Sequence, residues 1–444
     1  MSEAIVTVLG AGLAGSEAAW QIANRGVRVR LVEMKPIKMT PAHHAPGFAE
    51  LCCSNSLRSD ALSNAVGLLK EDMRRCDSLI LSVADATKVP AGSALAVDRE
   101  AFSRTVTDRI RSHPLIEVEE REATEPAAEG VTVIATGPLT SEPMAAWIAS
   151  QTGQNGLYFY DAVAPIVDFS TINMDVAFFA SRYDKGDADY INCPMDREQY
   201  DAFYQALITA KEAELKEFDK EDQKNPKVFE GCMPVEVMAR RGYDTLRYGP
   251  LKPVGLVDKR TGKESFAVVQ LRKENREGTM YNLVGFQTHL TFPEQKRVFS
   301  MIPGLENASF LRYGVMHRNT YLHSPGFLDA TYAVRENRDL FFAGQMTGVE
   351  GYIESAGSGL VAGINAARRA RGMEPLVFPR QTMLGSMANY VGEGSIGDFT
   401  PMNANFGIVP PLEQKVRGGK ALRNEAISAR ALERLAEAMD EIKA

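Results

Sequence analysis

The sequence has few cysteines, few tryptophans and no long hydrophobic run. Its 444 residues include five cysteines and two tryptophans. A small, odd number of cysteines is typical of reduced thiols and excludes a disulfide scaffold. No window approaches the roughly 18 uninterrupted apolar residues of a membrane-spanning helix. Neither Lys nor Arg precedes Arg25, so no secretory leader is indicated and we expect a soluble, cytoplasmic protein.

The sequence also lacks an excess of positive charge. Its 50 basic and 57 acidic residues give a net charge of -7, so any nucleic acid must bind a local basic patch. Hydrophobic residues make up 45% and charged residues 24%, as in ordinary globular proteins. At roughly 150 residues per domain, the length predicts two or three domains.

The N-terminal 33 residues carry a β–α–β pattern with a glycine turn. A β-rich run at 5–9 precedes the turn, a helical stretch covers 16–24, and a second β-rich run covers 27–32. The turn consists of Gly10, Ala11, Gly12, Leu13, Ala14 and Gly15. Its glycines would allow a sharp turn, backbone approach by a pyrophosphate and close helix–strand packing. Glu33 ends the second run, where a carboxylate can accept ribose hydrogen bonds. The pattern predicts a dinucleotide site.

A second glycine pattern, at 392–397, lacks a preceding strand and is followed by Pro401, so we interpret it as a loop. A single dinucleotide site favours a tightly held FAD over a nicotinamide. Two further segments agree, namely a strand–glycine turn at Gly137 and a strand at 339–344 that leads into a small-residue helix at 354–369. This helix would stabilise a reduced flavin through its N-terminus. The candidate cofactor residues there are Gly344, Gln345, Glu350, Gly351, Tyr352 and Gly357.

The order of strand-like and helix-like segments along the chain predicts an α/β fold, with a Rossmann-like FAD-binding domain of the glutathione-reductase type and an inserted α+β domain. The first part of the FAD-binding domain covers 1–152 and its second part 327–444. The inserted, substrate- and RNA-side domain covers 153–326. Residues 34–97 are expected to be irregular, 197–222 to form a charged helix, and 424–443 an amphipathic helix.

Cysteines are the best candidates for nucleophilic chemistry. Cys53 lies in a Ser/Asn-rich segment, and Cys232 lies between a glycine and Met-Pro, which favours exposed thiols. Cys76 and Cys193 have no such surroundings, and an inert role is the commoner one for a lone cysteine. The absence of a CxxC pair and the scattered histidines disfavour a metal site.

A local basic patch is present at 240–276, which holds ten Lys/Arg against four Asp/Glu, with Tyr243, Tyr248 and Phe266 interleaved. Phosphate contacts would use the charges, and stacking on unpaired bases would use the rings. A solvated charged face is the alternative interpretation. A weaker patch consists of Lys415, Arg417, Lys420 and Arg423.

Together these segments resemble the bacterial folate- and FAD-dependent tRNA (uracil-5-)-methyltransferases, the TrmFO family, over essentially the whole chain. The resemblance is carried by VLGAGLAGSEAAWQIA at 8–23, VEMKP at 32–36, LCCSNSLRSD at 51–60, EGCMPVEVMARRG at 230–242 and FFAGQMTGVEGYIESAGSGLVAGINAAR at 341–368. The GidA-type wobble-uridine enzymes end similarly but carry an additional helical domain and an RYCP block. This chain instead reads RYGP at 247–250.

The resemblance implies methylation of C5 of the T-loop uridine in the tRNA T-arm. Methylenetetrahydrofolate would be the carbon donor and NAD(P)H would reduce FAD. It also implies that Cys232 attacks C6 of uracil, that Cys53 assists, and that Tyr352 lies beside flavin and pterin. The adjacent Cys52 could replace Cys53 in a mutant. Alternatives are GidA-like modification, a flavin oxidoreductase acting on a small molecule, or a non-catalytic flavin-bearing RNA-binding protein.

Overall fold

A computed structural model describes most of the chain. The described residues are 4–40, 42–152, 157–162, 164–184, 187–213, 233–273, 278–314, 316–393, 399, 401–414, 416 and 419–444. Cys232 lies outside these residues, as do Lys415 and Arg417 of the weaker basic patch.

The first third of the described chain mixes strands and helices, and its end consists of one strand followed by helices. The strands are β1 (Ile5–Leu9), β2 (Arg28–Glu33), β3 (Ser56–Ser59), β4 (Lys88–Val89), β5 (Ala94–Val97), β6 (Ile116–Glu120), β7 (Val131–Ile134), β8 (Leu157–Ala162), β9 (Ile166–Asp168), β10 (Phe178–Ala180), β11 (Tyr190–Met195), β12 (Val257–Asp258), β13 (Lys263–Glu264), β14 (Ala267–Lys273), β15 (Met280–Leu283), β16 (Phe310–Arg312), β17 (Met316–Tyr321) and β18 (Leu340–Phe342). The helices are α1 (Leu13–Asn24), α2 (Ala65–Arg75), α3 (Leu79–Ala86), α4 (Arg99–Ser112), α5 (Glu142–Thr152), α6 (Arg197–Ile208), α7 (Val235–Arg240), α8 (Thr245–Tyr248), α9 (Phe292–Phe299), α10 (Tyr352–Ala370), α11 (Met383–Glu393) and α12 (Lys420–Lys443).

The first sheet is parallel and has the order β18–β7–β1–β2–β6. The last four residues of β1 are buried, as expected of a parallel strand covered on both faces. The predicted β–α–β unit is confirmed as β1, α1 and β2, with α1 beginning three residues earlier than expected. The α/β class with a Rossmann-like sheet is confirmed with it.

The carboxyl ends of the central strands lie in register, because Ile134 of β7 pairs with both Leu9 of β1 and Phe342 of β18. The glycine turn after β1, the loop after β7 and the turn after β18 therefore leave the same edge of the sheet. Ligands of open α/β sheets bind at this edge.

Helix α10 packs directly against α1. A Cβ atom at Gly359 would lie 2.2 Å from the carbonyl oxygen of Ala14, and one at Gly363 would lie 2.7 Å from the backbone of Ala18. Only glycine allows two helix backbones to approach this closely. The small residues that marked this helix in the sequence therefore pack it onto the nucleotide-binding unit.

The second sheet is antiparallel and has the order β10–β11–β14–β15–β9–β16. Strand β14 lies inside it, between β11 and β15. A second hydrophobic core beneath this sheet includes Tyr200, Phe203, Leu271 and Phe299. All strands of the second sheet come from residues 166–312, as an inserted α+β unit requires. The domain boundaries at 152 and 326 stay a prediction.

The expectation that 34–97 is irregular is wrong. This segment contains β3, α2, α3, β4 and β5. Helix α2 was missed because two polar side chains, Lys70 and Asp72, lie on its buried side and break its hydrophobic pattern. Helix α3 is only eight residues long, too short for periodicity to distinguish it from a strand.

Two further boundaries differ from the prediction. The charged helix begins at Arg197 but ends at Ile208, with Thr209 as its C-cap; residues 214–222 lie outside the described residues. Gly392 and Glu393 of the second glycine pattern end helix α11 rather than forming a loop, and 394–397 lie outside the described residues. Among the helices of the described part, none combines the length and apolar character that crossing a bilayer requires.

Candidate functional site

A cavity of about 1070 Å³, including space open to solvent, lies at the carboxyl edge of the parallel sheet. The glycine turn, the loops after β2 and β7, the turn after β18 and the first turn of α10 form its walls. Of the predicted cofactor residues, those that line it are Gly10, Gly12, Leu13, Ala14, Glu33, Gly137, Gly344, Gln345 and Tyr352. Cys53 lies on the same wall.

The three glycines of the turn have different surroundings. A Cβ atom at Gly10 would lie 2.6 Å from the carbonyl oxygen of Ala135, and one at Gly15 would lie 1.8 Å from that of Gly10. Both glycines therefore allow close backbone packing. A Cβ atom at Gly12 would meet nothing within 4 Å, so it would enter the open cavity. This empty space beside the N-terminus of α1 fits the pyrophosphate of a dinucleotide such as FAD.

Glu33 orients the loop that it faces. Its carboxylate accepts the Ala11 N–H at 2.6 Å and the Lys35 N–H at 2.9 Å, and only 6% of the residue is exposed. Ala11 thus contributes to the site through its backbone rather than as a lining side chain. Because each carboxylate oxygen can accept more than one hydrogen bond, Glu33 keeps acceptor capacity toward the cavity.

Three predicted cofactor residues near α10 are not among those that line the cavity. The missing side chain of Gly357 would face Leu384 at 3.2 Å, so this glycine serves helix packing. Gly351 has a φ of 120° and lies against the carboxylate of Glu354. The Glu350 N–H donates to the Met402 carbonyl. The glycine-rich sequence after β18 therefore serves the turn and the packing of α10 as well as the cavity.

The thiol loop, defined here as residues 51–55, is held from two sides. The Tyr352 hydroxyl accepts the backbone N–H of Cys53 at 2.7 Å and that of Ser54 at 3.2 Å. Arg99 donates to the carbonyl oxygens of Leu51 at 2.6 Å and Cys52 at 3.2 Å. Burial raises the pKa of Tyr352 well above its usual value, so the phenol stays neutral. Tyr352 thus fixes the backbone of Cys53 while it lines the cavity.

The environment of Cys52, the cysteine that precedes Cys53, keeps its thiol protonated. The Cys52 thiol lies 3.9 Å from the Glu50 carbonyl oxygen, to which it donates. Burial, reinforced by the charge of Glu50, raises the pKa of Cys52 to about 12. Cys52 is therefore protonated near neutral pH and a poor nucleophile, which weakens the expectation that it could replace Cys53.

Two of the other cysteines lie in the hydrophobic cores. Cys76 and Cys193 are buried, and burial raises the pKa of both thiols. They are inert core residues. Cys232 lies outside the described residues, so its role stays a prediction.

Sequence reasoning missed several residues of the cavity wall. Lys35 donates to the Gly47 carbonyl at 2.6 Å and pairs with Glu50 at 3.6 Å, and His43 lies 2.5 Å from the Thr40 hydroxyl through Nδ1. Lys35 belongs to the VEMKP block, which signals its position. His43 and Arg99 carry no such signal, because their contacts with the site depend on the folding of 34–97.

The basic segment is described from 240 to 273, while Glu274 and Arg276 lie outside the described residues. Its charges are partly neutralised by ion pairs. Arg240 pairs with Glu212, and Arg247 with Asp244, while Arg260 pairs with Asp258. Arg241 and Lys263 are exposed and form no ion pair with another described residue. These two side chains are therefore the candidates for the predicted phosphate contacts.

Comparisons with known proteins cover nearly the whole chain. The family model described as "Glucose inhibited division protein A" matches residues 5–374. The methylenetetrahydrofolate--tRNA-(uracil-5-)-methyltransferase TrmFO of Enterococcus faecalis is 59% identical over 428 residues, 96% of this chain and 97% of the relative. The protein of the same name from Listeria monocytogenes is 57% identical over 440 residues, 99% of this chain and 100% of the relative. The form I crystal structure of Aquifex aeolicus GidA aligns with a TM-score of 0.71 at 17% identity, covering 100% of this chain and 76% of that one, a likeness of fold.

Proposed function

The chain belongs to the glucose inhibited division protein A family and, within it, to the TrmFO methyltransferases, and we propose that it methylates C5 of the T-loop uridine of tRNA. Methylenetetrahydrofolate supplies the carbon, NAD(P)H is the reductant, and FAD is the bound cofactor. Full-length identity of 57–59% to TrmFO proteins carries this proposal.

The cavity supports the choice of FAD. Gly12, Glu33, Gly137 and the turn at Gly344 surround open space at the carboxyl edge of the sheet. Gly12 and the N-terminus of α1 would hold the pyrophosphate, and Glu33 the ribose. FAD bound there, once reduced by NAD(P)H, would supply the electrons that convert the methylene group of the folate into a methyl group.

The role of the thiols is to activate C5 of uracil, the atom that accepts the carbon. C5 of uracil is a weak nucleophile, and addition of a thiolate to C6 makes it enolate-like. We assign this addition to Cys232, on the block at 230–242. After transfer of the carbon, the C5 proton leaves to a base and the C6–sulfur bond breaks, which restores the double bond. Cys53, on the cavity wall beside Tyr352, assists proton removal or protects the reactive carbon.

A tRNA containing 5-fluorouridine tests the thiol assignment. Fluorine cannot leave as a proton does, so the covalent complex should accumulate, and peptide mass analysis should find the RNA on Cys232. Attachment at Cys53 would exchange the two roles. No adduct, together with an active Cys232→Ala variant, would remove the thiol mechanism.

Product analysis tests the function itself. The purified protein is incubated with unmodified tRNA, NAD(P)H and methylenetetrahydrofolate, and nucleosides are measured by mass, with each component omitted in turn. 5-Methyluridine that requires both tRNA and folate supports the proposal. A rate of NAD(P)H oxidation that does not change when tRNA is added indicates a small-molecule oxidoreductase. Product at a wobble uridine indicates GidA-type modification.

A further inference from the structure

The thiol loop is bound by a strand of the antiparallel sheet as well as by the FAD-binding unit. At the end of β14, Arg272 donates from Nη2 to the Ser54 hydroxyl at 2.5 Å and from Nε to the Asn55 side-chain oxygen at 3.2 Å. The Asn55 amide donates in return to the Lys273 carbonyl at 2.7 Å and to the Val97 carbonyl at 3.0 Å. Asn55 is fully buried.

These contacts complete the support of Cys53. Tyr352 and Arg99 hold the loop from the FAD-binding unit, and the Val97 N–H donates to the Asn55 carbonyl at 3.0 Å. Arg272 adds a support from an inner strand, because at this position β14 is paired with β11 on one side and with β15 on the other. A planar guanidinium that binds two consecutive residues fixes their orientation as well as their distance.

We propose that Arg272 is a positioning residue for Cys53, acting through Ser54 and Asn55. The inference rests on the proposed role of Cys53 in methyl transfer. Arg272 ties the residue that follows Cys53 to the sheet that carries the basic segment, so the thiol keeps one position relative to the inserted unit. Displacement of a reacting group by about 1 Å costs on the order of 100-fold in rate.

Direct binding of an RNA phosphate by Arg272 is the competing role, because Arg272 belongs to the basic segment. Its contacts favour positioning. Two of its donor nitrogens already bind side chains of the thiol loop, and one of the acceptors, Asn55, is fully buried.

The test compares Arg272→Ala, Arg272→Lys, Ser54→Ala and the double variant, in the full-length protein. Arg335→Ala is the matched control, because Arg335 likewise bridges two segments, binding the Leu328 and Gly392 carbonyls. Two quantities are measured: kcat and KM for tRNA methylation, and the pH profile of Cys53 alkylation by iodoacetamide. Peptide fragmentation separates Cys53 from Cys52.

We expect Arg272→Ala to lower kcat by about 10- to 100-fold with KM for tRNA changed less than about 3-fold. The Cys53 alkylation profile should shift in Arg272→Ala and in Ser54→Ala, and Arg272→Lys should recover part of kcat. The double variant should be no worse than Arg272→Ala, since both changes remove the same hydrogen bond. Arg335→Ala should leave the alkylation profile unchanged even if it lowers Tm.

Two results would overturn the proposal. A raised KM for tRNA and a flatter salt dependence in Arg272→Ala, with Ser54→Ala silent, would make Arg272 a phosphate contact. An unchanged Cys53 alkylation profile in both single variants would remove the positioning role. If the wild-type protein makes no 5-methyluridine, the proposed function is wrong. The alkylation comparison still tests Arg272 in that case, because alkylation of Cys53 does not depend on methyl transfer.

Discussion

Gly12 and Gly15 lie in the same turn, yet a side chain should have opposite consequences at the two positions. A Cβ atom at Gly12 would meet no atom within 4 Å, and the backbone there, with a φ of -70°, suits any residue. A Cβ atom at Gly15 would lie 1.8 Å from the Gly10 carbonyl oxygen. Gly12→Val should therefore disturb the cofactor, and Gly15→Ala the fold.

The magnitudes follow from the two environments. Real Cβ contacts are essentially never below 3.0 Å, so Gly15→Ala forces α1 more than 1 Å away from the turn. Overpacking of this kind costs about 1–3 kcal/mol of stability or more. Gly12→Val leaves the apoprotein unstrained but fills space that the pyrophosphate needs. A similar penalty of about 1–3 kcal/mol there weakens FAD binding by roughly 5- to 150-fold.

Two measurements separate these effects. Visible absorbance reports the flavin retained by the purified protein, and thermal unfolding of flavin-free protein reports the stability of the fold. Gly12→Val should be colourless with a near-wild-type apoprotein Tm, and Gly15→Ala should unfold at a lower temperature even without flavin. A yellow Gly12→Val with wild-type FAD affinity would show that the dinucleotide does not occupy this turn.

Three further predictions concern the loop, the core and the RNA surface. Tyr352→Phe removes the acceptor of the partly buried Cys53 and Ser54 N–H groups. An unsatisfied group costs about 1–3 kcal/mol when it is fully buried, so a smaller loss is expected here. Tm should fall and Cys53 alkylation should change, and an unchanged Tm would contradict the hydrogen bonds. Burial raises the pKa of Asp72 to about 7, above its value in the unfolded chain, so the free energy of unfolding should fall by at most a few kcal/mol as pH rises from 4 toward 7. Asp72→Asn should reduce this fall, which denaturant titrations at several pH values measure. An unaltered dependence of the unfolding free energy on pH would refute the prediction. The double variant Arg241→Gln/Lys263→Gln should weaken tRNA binding and reduce the slope of log K against log salt by roughly one for each phosphate that is no longer neutralised. Arg74→Gln, which breaks ion pairs to Asp60 and Asp85, should leave this slope unchanged. Equal slopes in both variants would assign the basic segment to a solvated face.

The parts of the fold that the sequence predicted are those with local signals. Strand β1, the glycine turn and Glu33 follow one another within 33 residues, and the strand at 340–342 is followed by a glycine-rich turn and α10. Buried parallel strands and glycine turns of this kind can be identified from a short window. These two windows, together with the strand–glycine turn that ends at Gly137, supplied nine of the lining residues of the cavity.

The segment 34–97 could not be predicted because its order depends on tertiary contacts. Lys70 is buried where its ammonium binds the Ser59 carbonyl at 2.6 Å, and Asp72 accepts the Met383 N–H at 2.7 Å from a helix more than 300 residues away. Neither partner is visible from local sequence. The same holds for the thiol loop, whose supports Tyr352, Arg99 and Arg272 come from three distant parts of the chain.

Isotope tracing tests the central claim most directly. Methylenetetrahydrofolate labelled with carbon-13 in its methylene group is supplied with unmodified tRNA and NAD(P)H, and the tRNA is digested into fragments for mass analysis. We expect the T-arm fragment to gain the labelled carbon and its nucleosides to contain labelled 5-methyluridine. Unlabelled product, or label confined to the anticodon fragment, would contradict it.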